Sequence, residues 1–203
     1  MARSGMTELI QEARRLSNVG TADYTSGTVT YFTDDQLQDI LDRHRTQRRQ
    51  ILLNAQAEYA NGAYTYTEYP LPFDLEWMER GTATGSGWAV RDVAGSAATS
   101  YTVNYAARVI TFAADTENAT YYLDVRTFEL NTSVAEIWEM KAGFVYDSVD
   151  WASDNHNIKA EQEYKHCLEM AQQYRTKRSA VNGGMRVSRM VRTDNMRGWA
   201  GGG

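Results

Sequence analysis

The sequence predicts an α+β fold. We expect a helical bundle of about four helices, an inserted antiparallel β-subdomain and an extended C-terminal arm. Three observations carry this expectation. Apolar residues recur at helical spacing towards both ends of the chain. Between those regions the period falls to two around an Asn61-Gly62 turn signal. The final stretch combines paired glycines with spaced arginines. The predicted division is a helical core over 1–50 and 131–178, a β-rich insertion over 51–130 and a basic arm over 179–203.

The chain has 203 residues, 42% of them hydrophobic, enough for one folded unit with an inserted subdomain. The single cysteine, Cys167, rules out an internal disulfide and makes a reducing compartment the default. No apolar run reaches the ~18 residues of a membrane-spanning helix. MARSGMTELIQEARRL lacks the apolar centre of a signal peptide. The expectation is a soluble protein that does not enter a membrane. Its formal charge of −5 is unevenly placed. From Arg175 onward, seven basic residues face one acid, Asp194, a net of +6 that leaves −11 on the rest of the chain. An acidic body with a basic tail fits a tail that docks on something acidic.

Residues 6–16 have helical spacing, with Leu9, Ile10, Ala13 and Leu16 on one face, and Asn18 and Gly20 stop the pattern. A Gly/Thr/Ser/Tyr loop follows over 20–32. Thr33 and Gln36 then form a capping box, and Asp34 and Asp35 sit where the helix dipole favours anions. Leu37, Ile40 and Leu41 give this second helix, predicted over 34–47, its buried stripe. Arg43, Arg45, Arg48 and Arg49 are read as its basic C-terminal end, either solvated or in contact with a partner.

The period changes in ILLNAQAEYANGAYTYTEYPL. A two-residue turn at Asn61-Gly62 pairs Tyr59 with Tyr64 and Ala57 with Tyr66. One hairpin face, predicted buried, then holds Leu53, Ala55, Ala57, Tyr59, Tyr64 and Tyr66. GWAVRDV, SYTVNY, RVITFA and TYYLDVRTFEL read as further strands, five or six in all, and Pro70 and Pro72 bend the middle of the insertion. Helical period resumes at Ser133, which with Glu136 forms a second predicted capping box. From Val134 to Ala152, Val134, Ile137, Trp138, Phe144, Val145, Val149 and Trp151 cover more than one stripe. A helix apolar on two sides is packed on two sides, with the insertion or a neighbouring subunit as second partner. SDNHN reads as a break. The last helix is predicted over 158–177, with Tyr164, Cys167, Leu168, Ala171 and Tyr174 on one face and Glu161–Lys165 as an i,i+4 pair.

The residues give little support to catalysis. The three histidines make no HExxH motif and no i,i+4 pair, so no metal site is expected. Cys167 sits on an apolar face as an inert thiol. GTATGSG at 81–87 lacks the lysine and spacing of a phosphate loop, and no GxGxxG or GxSxG occurs. The tail is the unusual stretch. Arg186, Arg189 and Arg192 recur every three residues, interleaved with Met185, Val187, Met190 and Val191. Such a segment is either a disordered, solubilising tail or an arm that orders on a partner, apolar side chains filling pockets and arginines pairing with carboxylates, and the arm is the favoured reading.

The order of elements carries a resemblance. GTADYTSGTVTYFTDDQLQDILDRHR follows a short helix, then comes the hairpin EYANGAYTYTEY. YYLDVRTFELN leads into VAEIWEMKAGFVYDSVDWASD, and the final helix ends in EMAQQYRTK. Over nearly the whole chain this pattern resembles the head-to-tail adaptor (connector, head-completion) proteins of tailed bacteriophages, with DDQLQDILDRHR its most specific part. The resemblance implies a structural virion protein, not an enzyme and without cofactor. It implies a ring, usually of twelve copies, beneath the portal protein in the neck, assembled in the host cytoplasm. Such a ring extends the DNA channel, lets duplex DNA pass without sequence-specific binding, and offers a surface to a tail or stopper/nozzle protein. The portal-binding arm would then comprise Arg178, Met185, Arg186, Val187, Arg189, Met190, Val191, Arg192, Arg197 and Trp199. Candidates for the subunit interface are Arg43, Arg45, Arg48, Trp138, Phe144 and Trp151. The long β-insertion departs from the smaller all-helical members of the family. Two alternatives stand beside this reading. One is a nucleic-acid-binding protein using the Arg43–Arg49 cluster and the basic tail. The other is a hydrolase whose acid pair only the fold would assemble.

Overall fold

The computed structural model describes residues 2–20, 24–26, 29–60, 62–81, 87–148 and 154–182. Their class is α+β. Among them are four α-helices: α1 (Thr7–Ser17), α2 (Asp34–Arg43), α3 (Leu130–Ser148) and α4 (Asp154–Asn182). Strands β1 (Thr25–Ser26) and β2 (Val29–Thr30) pair within the loop after α1. The larger strands are β3 (Arg45–Leu53), β4 (Gln56–Ala60), β5 (Ala63–Pro70), β6 (Ala89–Asp92), β7 (Tyr101–Asn104), β8 (Val109–Phe112) and β9 (Tyr121–Phe128).

The helices share one core. Leu9, Ile10 and Ala13 of α1, Leu37, Ile40 and Leu41 of α2, Val134, Ile137 and Trp138 of α3, and Cys167 and Ala171 of α4 are all buried in it. Asn18 ends α1 in the left-handed conformation, φ 50°, a role its short polar side chain tolerates. The predicted capping box of α2 forms: Thr33 Oγ1 accepts from Gln36 N–H and the Gln36 side chain accepts from Thr33 N–H.

Two sheets share the second core. One has the order β3-β9-β6 and the other β4-β5-β8-β7, both antiparallel. Leu53, Val90, Leu123 and Val125 of the first meet Tyr69, Ile110 and Phe112 of the second. Residues 77–79 lie alongside β9, where Phe128 N–H donates to Trp77 O (2.8 Å) and Glu79 N–H to Arg126 O (2.9 Å). The two cores meet where Arg80 N–H donates to Gly5 O (3.0 Å). A Cβ on Gly5 would lie 1.8 Å from Arg80 O, so only glycine fits that approach.

Several expectations are corrected. The second helix stops at Arg43, and β3 begins at Arg45 rather than at Ile51. Pairing with β9 decides this, from Arg45 opposite Phe128 to Leu53 opposite Tyr121. Arg45, Arg48 and Arg49 are therefore strand residues, not a helix terminus. The 20–32 loop contains the β1–β2 pair. In the hairpin Tyr59 does face Tyr64, but a bulge on β5 sets Gln56 opposite Glu68 and displaces the predicted Ala57–Tyr66 pair. Tyr59 and Tyr64 are 65% and 63% exposed rather than buried, and they lie outside the second core. The capping box at Ser133 does not form. The helix starts at Leu130, so Ser133 lies inside it and its Oγ donates to Glu129 O (3.3 Å). Glu136 instead meets His44 (2.7 Å) and Arg43. SDNHN does not break the chain along its whole length: α4 starts at Asp154 and continues past Lys177 to Asn182, where Gly183-Gly184 follow. Leu168, placed on the buried face, is 40% exposed.

Candidate assembly surfaces

The arginine cluster is mostly occupied within the chain. Arg43 pairs with Glu136 of α3, Arg45 with Asp42 (3.7 Å) and Arg48 with Asp74 (2.6 Å). Arg49 makes no ion pair among the described residues and borders a shallow polar recess with Arg91 and Arg126. Two of these cations are also engaged, Arg91 with Asp124 (3.1 Å) and Arg126 with Glu79 (3.3 Å).

Trp138 lies inside the chain's own core. It is 5% exposed, and its Nε1–H donates to Leu16 O (3.3 Å). Tyr174 Oη–H donates to the same carbonyl (3.3 Å), while Lys141 Nζ donates to Ser17 O (2.8 Å) and Asn18 O (3.2 Å). The last carbonyls of α1, which a helix end leaves without internal partners, are thus received by α3 and α4. The buried Lys141 ammonium also lies 3.9 Å from the centre of the Trp138 ring, a contact that helps offset its desolvation. Phe144 is half-buried against Tyr31 (4.3 Å between ring centres), Phe32 and Tyr24. α3 packs against α1, α2 and α4, and its Val134, Ile137, Trp138 and Val145 are buried; Val149 lies outside the described residues. Trp151, the side chain of Arg178, and Met185, Arg186, Val187, Arg189, Met190, Val191, Arg192, Arg197 and Trp199 lie outside the described residues.

Sequence reasoning missed a buried carboxylate at the junction of the cores. Glu79 is 1% exposed; Arg3 Nε lies 3.0 Å and Arg126 Nη1 3.3 Å from its oxygens. Arg3 also holds Asp42 of α2 through two parallel bonds, each 2.8 Å. The Asp42 bond keeps the Arg3 guanidinium charged well above its usual range, against the burial that opposes it. Burial pushes the Asp42 carboxyl up, but the Arg3 bond and charge outweigh it, and the group ends below the ordinary value. No local pattern marks these residues, because Arg3, Asp42, Glu79 and Arg126 come from four separate segments.

A groove of about 750 Å³ runs between α1 and residues 75–80, lined among others by Glu8, Glu12, Arg15, Trp77 and Arg108. Its charges are largely used internally: Glu8 pairs with Arg80, and Glu12 with Arg15 (2.5 Å). Its lining includes no serine, cysteine, histidine or lysine. Burial raises the pKa of the Cys167 thiol. No group of His, Cys, Asp and Glu suited to a metal ion occurs among the described residues. No described helix is long and apolar enough to cross a membrane.

Exposed apolar side chains occur on both parts of the chain: Met140, Tyr146 and Leu168 on the helices, and Tyr59, Tyr64 and Phe73 on the β-subdomain. The Tyr59 and Tyr64 rings meet at a 56° tilt near the hairpin tip with centres 5.0 Å apart, and Phe73 is 91% exposed. Neither was singled out for exposure from the sequence. The chain matches no protein-family model, no curated protein and no solved structure.

Proposed function

We propose that the chain is a structural ring protein of a tailed-phage neck, sitting beneath the portal and joining the capsid to the tail. One observation carries this reading. The helices at both ends of the chain close into a single core, and the β-subdomain leaves that core and returns to it between α2 and α3, the order of elements that resembles the adaptor family. In the groove beside α1 the Glu8 and Glu12 carboxylates are held by Arg80 and Arg15, and the exposed Tyr59, Tyr64 and Phe73 of the β-subdomain are open to a neighbour. An acidic body also suits a conduit, since a wall rich in unpaired cations would hold the phosphates of passing DNA. The nucleic-acid alternative draws less support, because Arg43, Arg45 and Arg48 are each paired with a carboxylate.

Native mass spectrometry of the chain mixed with a portal ring from the same genome tests the proposal. Portal rings that gain about one copy per portal subunit support it. A chain that remains monomeric beside the portal refutes it. Removing residues 183–203 is expected to weaken portal attachment and leave the body folded; unchanged attachment removes the arm from the reading.

A further inference from the structure

We infer that neighbouring copies join edge to edge through β4 and β7, so that the four-stranded sheets of successive copies form one antiparallel band around the ring. This inference rests on the ring reading above. β4 and β7 are the two outer strands of their sheet. Their sequences, QAEYA and YTVN, contain no lysine or proline and a single charge, Glu58. Both strands are short, yet each presents a row of outward main-chain groups that another strand can pair with.

Direction, hydrogen bonding and face all agree with that occupant. The order β4-β5-β8-β7 is antiparallel throughout, so β4 and β7 run in opposite directions. A copy related by simple rotation therefore presents its β4 antiparallel to β7. On β7, Ser100 O accepts from Ala113 N–H (3.0 Å), so alternation aims the main-chain groups of Thr102 and Asn104 at β8 and those of Tyr101 and Val103 outward. On β4, Glu58 O accepts from Thr65 Oγ1 (3.4 Å) on β5, so alternation turns the main-chain groups of Ala57 and Tyr59 outward. The outward residues of both edges also share a face. Gln56 stands opposite Glu68, Glu68 opposite Thr111 and Thr111 opposite Thr102, all on the outer face. Ala57, Tyr59, Tyr101 and Val103 therefore lie on the inner face with buried Tyr69 and Ile110.

One register covers β7 completely. Tyr59 meets Tyr101 and Ala57 meets Val103 on the apolar face. Glu58 meets Thr102 and Gln56 meets Asn104 on the polar face. No like charges oppose each other, and the aromatic tip gains a cover. A contact between two different edges is heterologous, the kind that closes into a ring rather than a twofold dimer. A strand pair this short buries less than the roughly 1,200 Å² that a stable isolated complex needs, so it persists through ring closure rather than as a free pair.

Paired cysteines at Glu58 and Thr102 test the register. In this arrangement they form a non-bonded pair with Cα atoms about 4.5 Å apart, within disulfide reach. Both side chains are exposed, so the substitutions leave the core untouched. Rings of the E58C/T102C chain, assembled on the portal and oxidised, are expected to run as a covalent ladder on a non-reducing denaturing gel, with either single variant staying monomeric. Ala57→Pro removes only an outward-facing N–H and is expected to lower assembly at least tenfold with an unchanged circular dichroism spectrum. Rings that form without a ladder, or an A57P chain that assembles normally, overturn edge joining and leave the ring reading standing. A native chain that never gathers on the portal overturns both.

Discussion

Replacing Arg3 with methionine strands a buried carboxylate. Glu79 is almost fully shielded from water and shares its charge between Arg3 at 3.0 Å and Arg126 at 3.3 Å. Breaking a fully buried pair from one side costs about 3–5 kcal/mol, because the remaining charge stays desolvated. The Arg3 side chain is 31% exposed and Arg126 stays in place, so the loss is discounted to about 2–3 kcal/mol. Part of that belongs to the bidentate pair with Asp42 rather than to Glu79. A double-mutant cycle separates the two. Glu79→Gln removes the stranded charge, so Arg3→Met in that background costs only the Asp42 share. Urea unfolding of the four proteins is expected to give a coupling of at least about 1 kcal/mol, the range for contacting charged groups. Additivity within about 0.5 kcal/mol would show that Arg3 does not stabilise Glu79, and the account of the junction would fall.

Other expectations concern the helical core and the junction. Trp138→Ala is expected to cost about 3–5 kcal/mol in urea unfolding, since it removes a buried ring and the donor to Leu16 O; a near-neutral result would place Trp138 in solvent. Gly5→Ala drives a methyl into Arg80 O and is expected to cost about 1–3 kcal/mol, with faster exchange of the Arg80 amide as the specific signature. Asp42 titrates lower in the folded chain than in the unfolded one, so its contribution is present at neutral pH and lost as pH falls below about 4 and through the folded value. The stability gap between the native chain and Asp42→Asn should therefore shrink in acid; a gap that widens reverses the sign and refutes the argument.

Local chemistry made much of the fold legible. Thr33, Gln36 and two acids define a helix start whatever surrounds it, and Asn61-Gly62 defines a turn by backbone preference alone. The strands ending in TYYLDVRTFEL were readable because alternation survives burial on one face. The errors fall where distant residues decide. Arg45 to Arg49 look like a basic helix end until β9 arrives to pair with them. Ser133 looks like a cap, but the chain leaving β9 enters the helix a turn earlier. Leu168 follows the apolar spacing of α4, yet the partner helices leave its position uncovered. The junction was illegible for the same reason: a buried Glu79 is explained only by Arg3 and Arg126, which no local spacing connects to it.

The carbonyls at the end of α1 have a consequence for how the chain comes to be folded. Their partners are 122, 124 and 158 residues later in the sequence, on α3 and α4. During synthesis the last turn of α1 therefore stays unfinished until α3 and α4 have followed. At about 5–20 residues per second, that interval is on the order of ten seconds. The β-subdomain is complete before then, since its strands close by Phe128. The Leu9, Ile10 and Ala13 face of α1 is therefore expected to wait uncovered while the strands of the β-subdomain are already present, and the helical core to close only when α3 and α4 arrive.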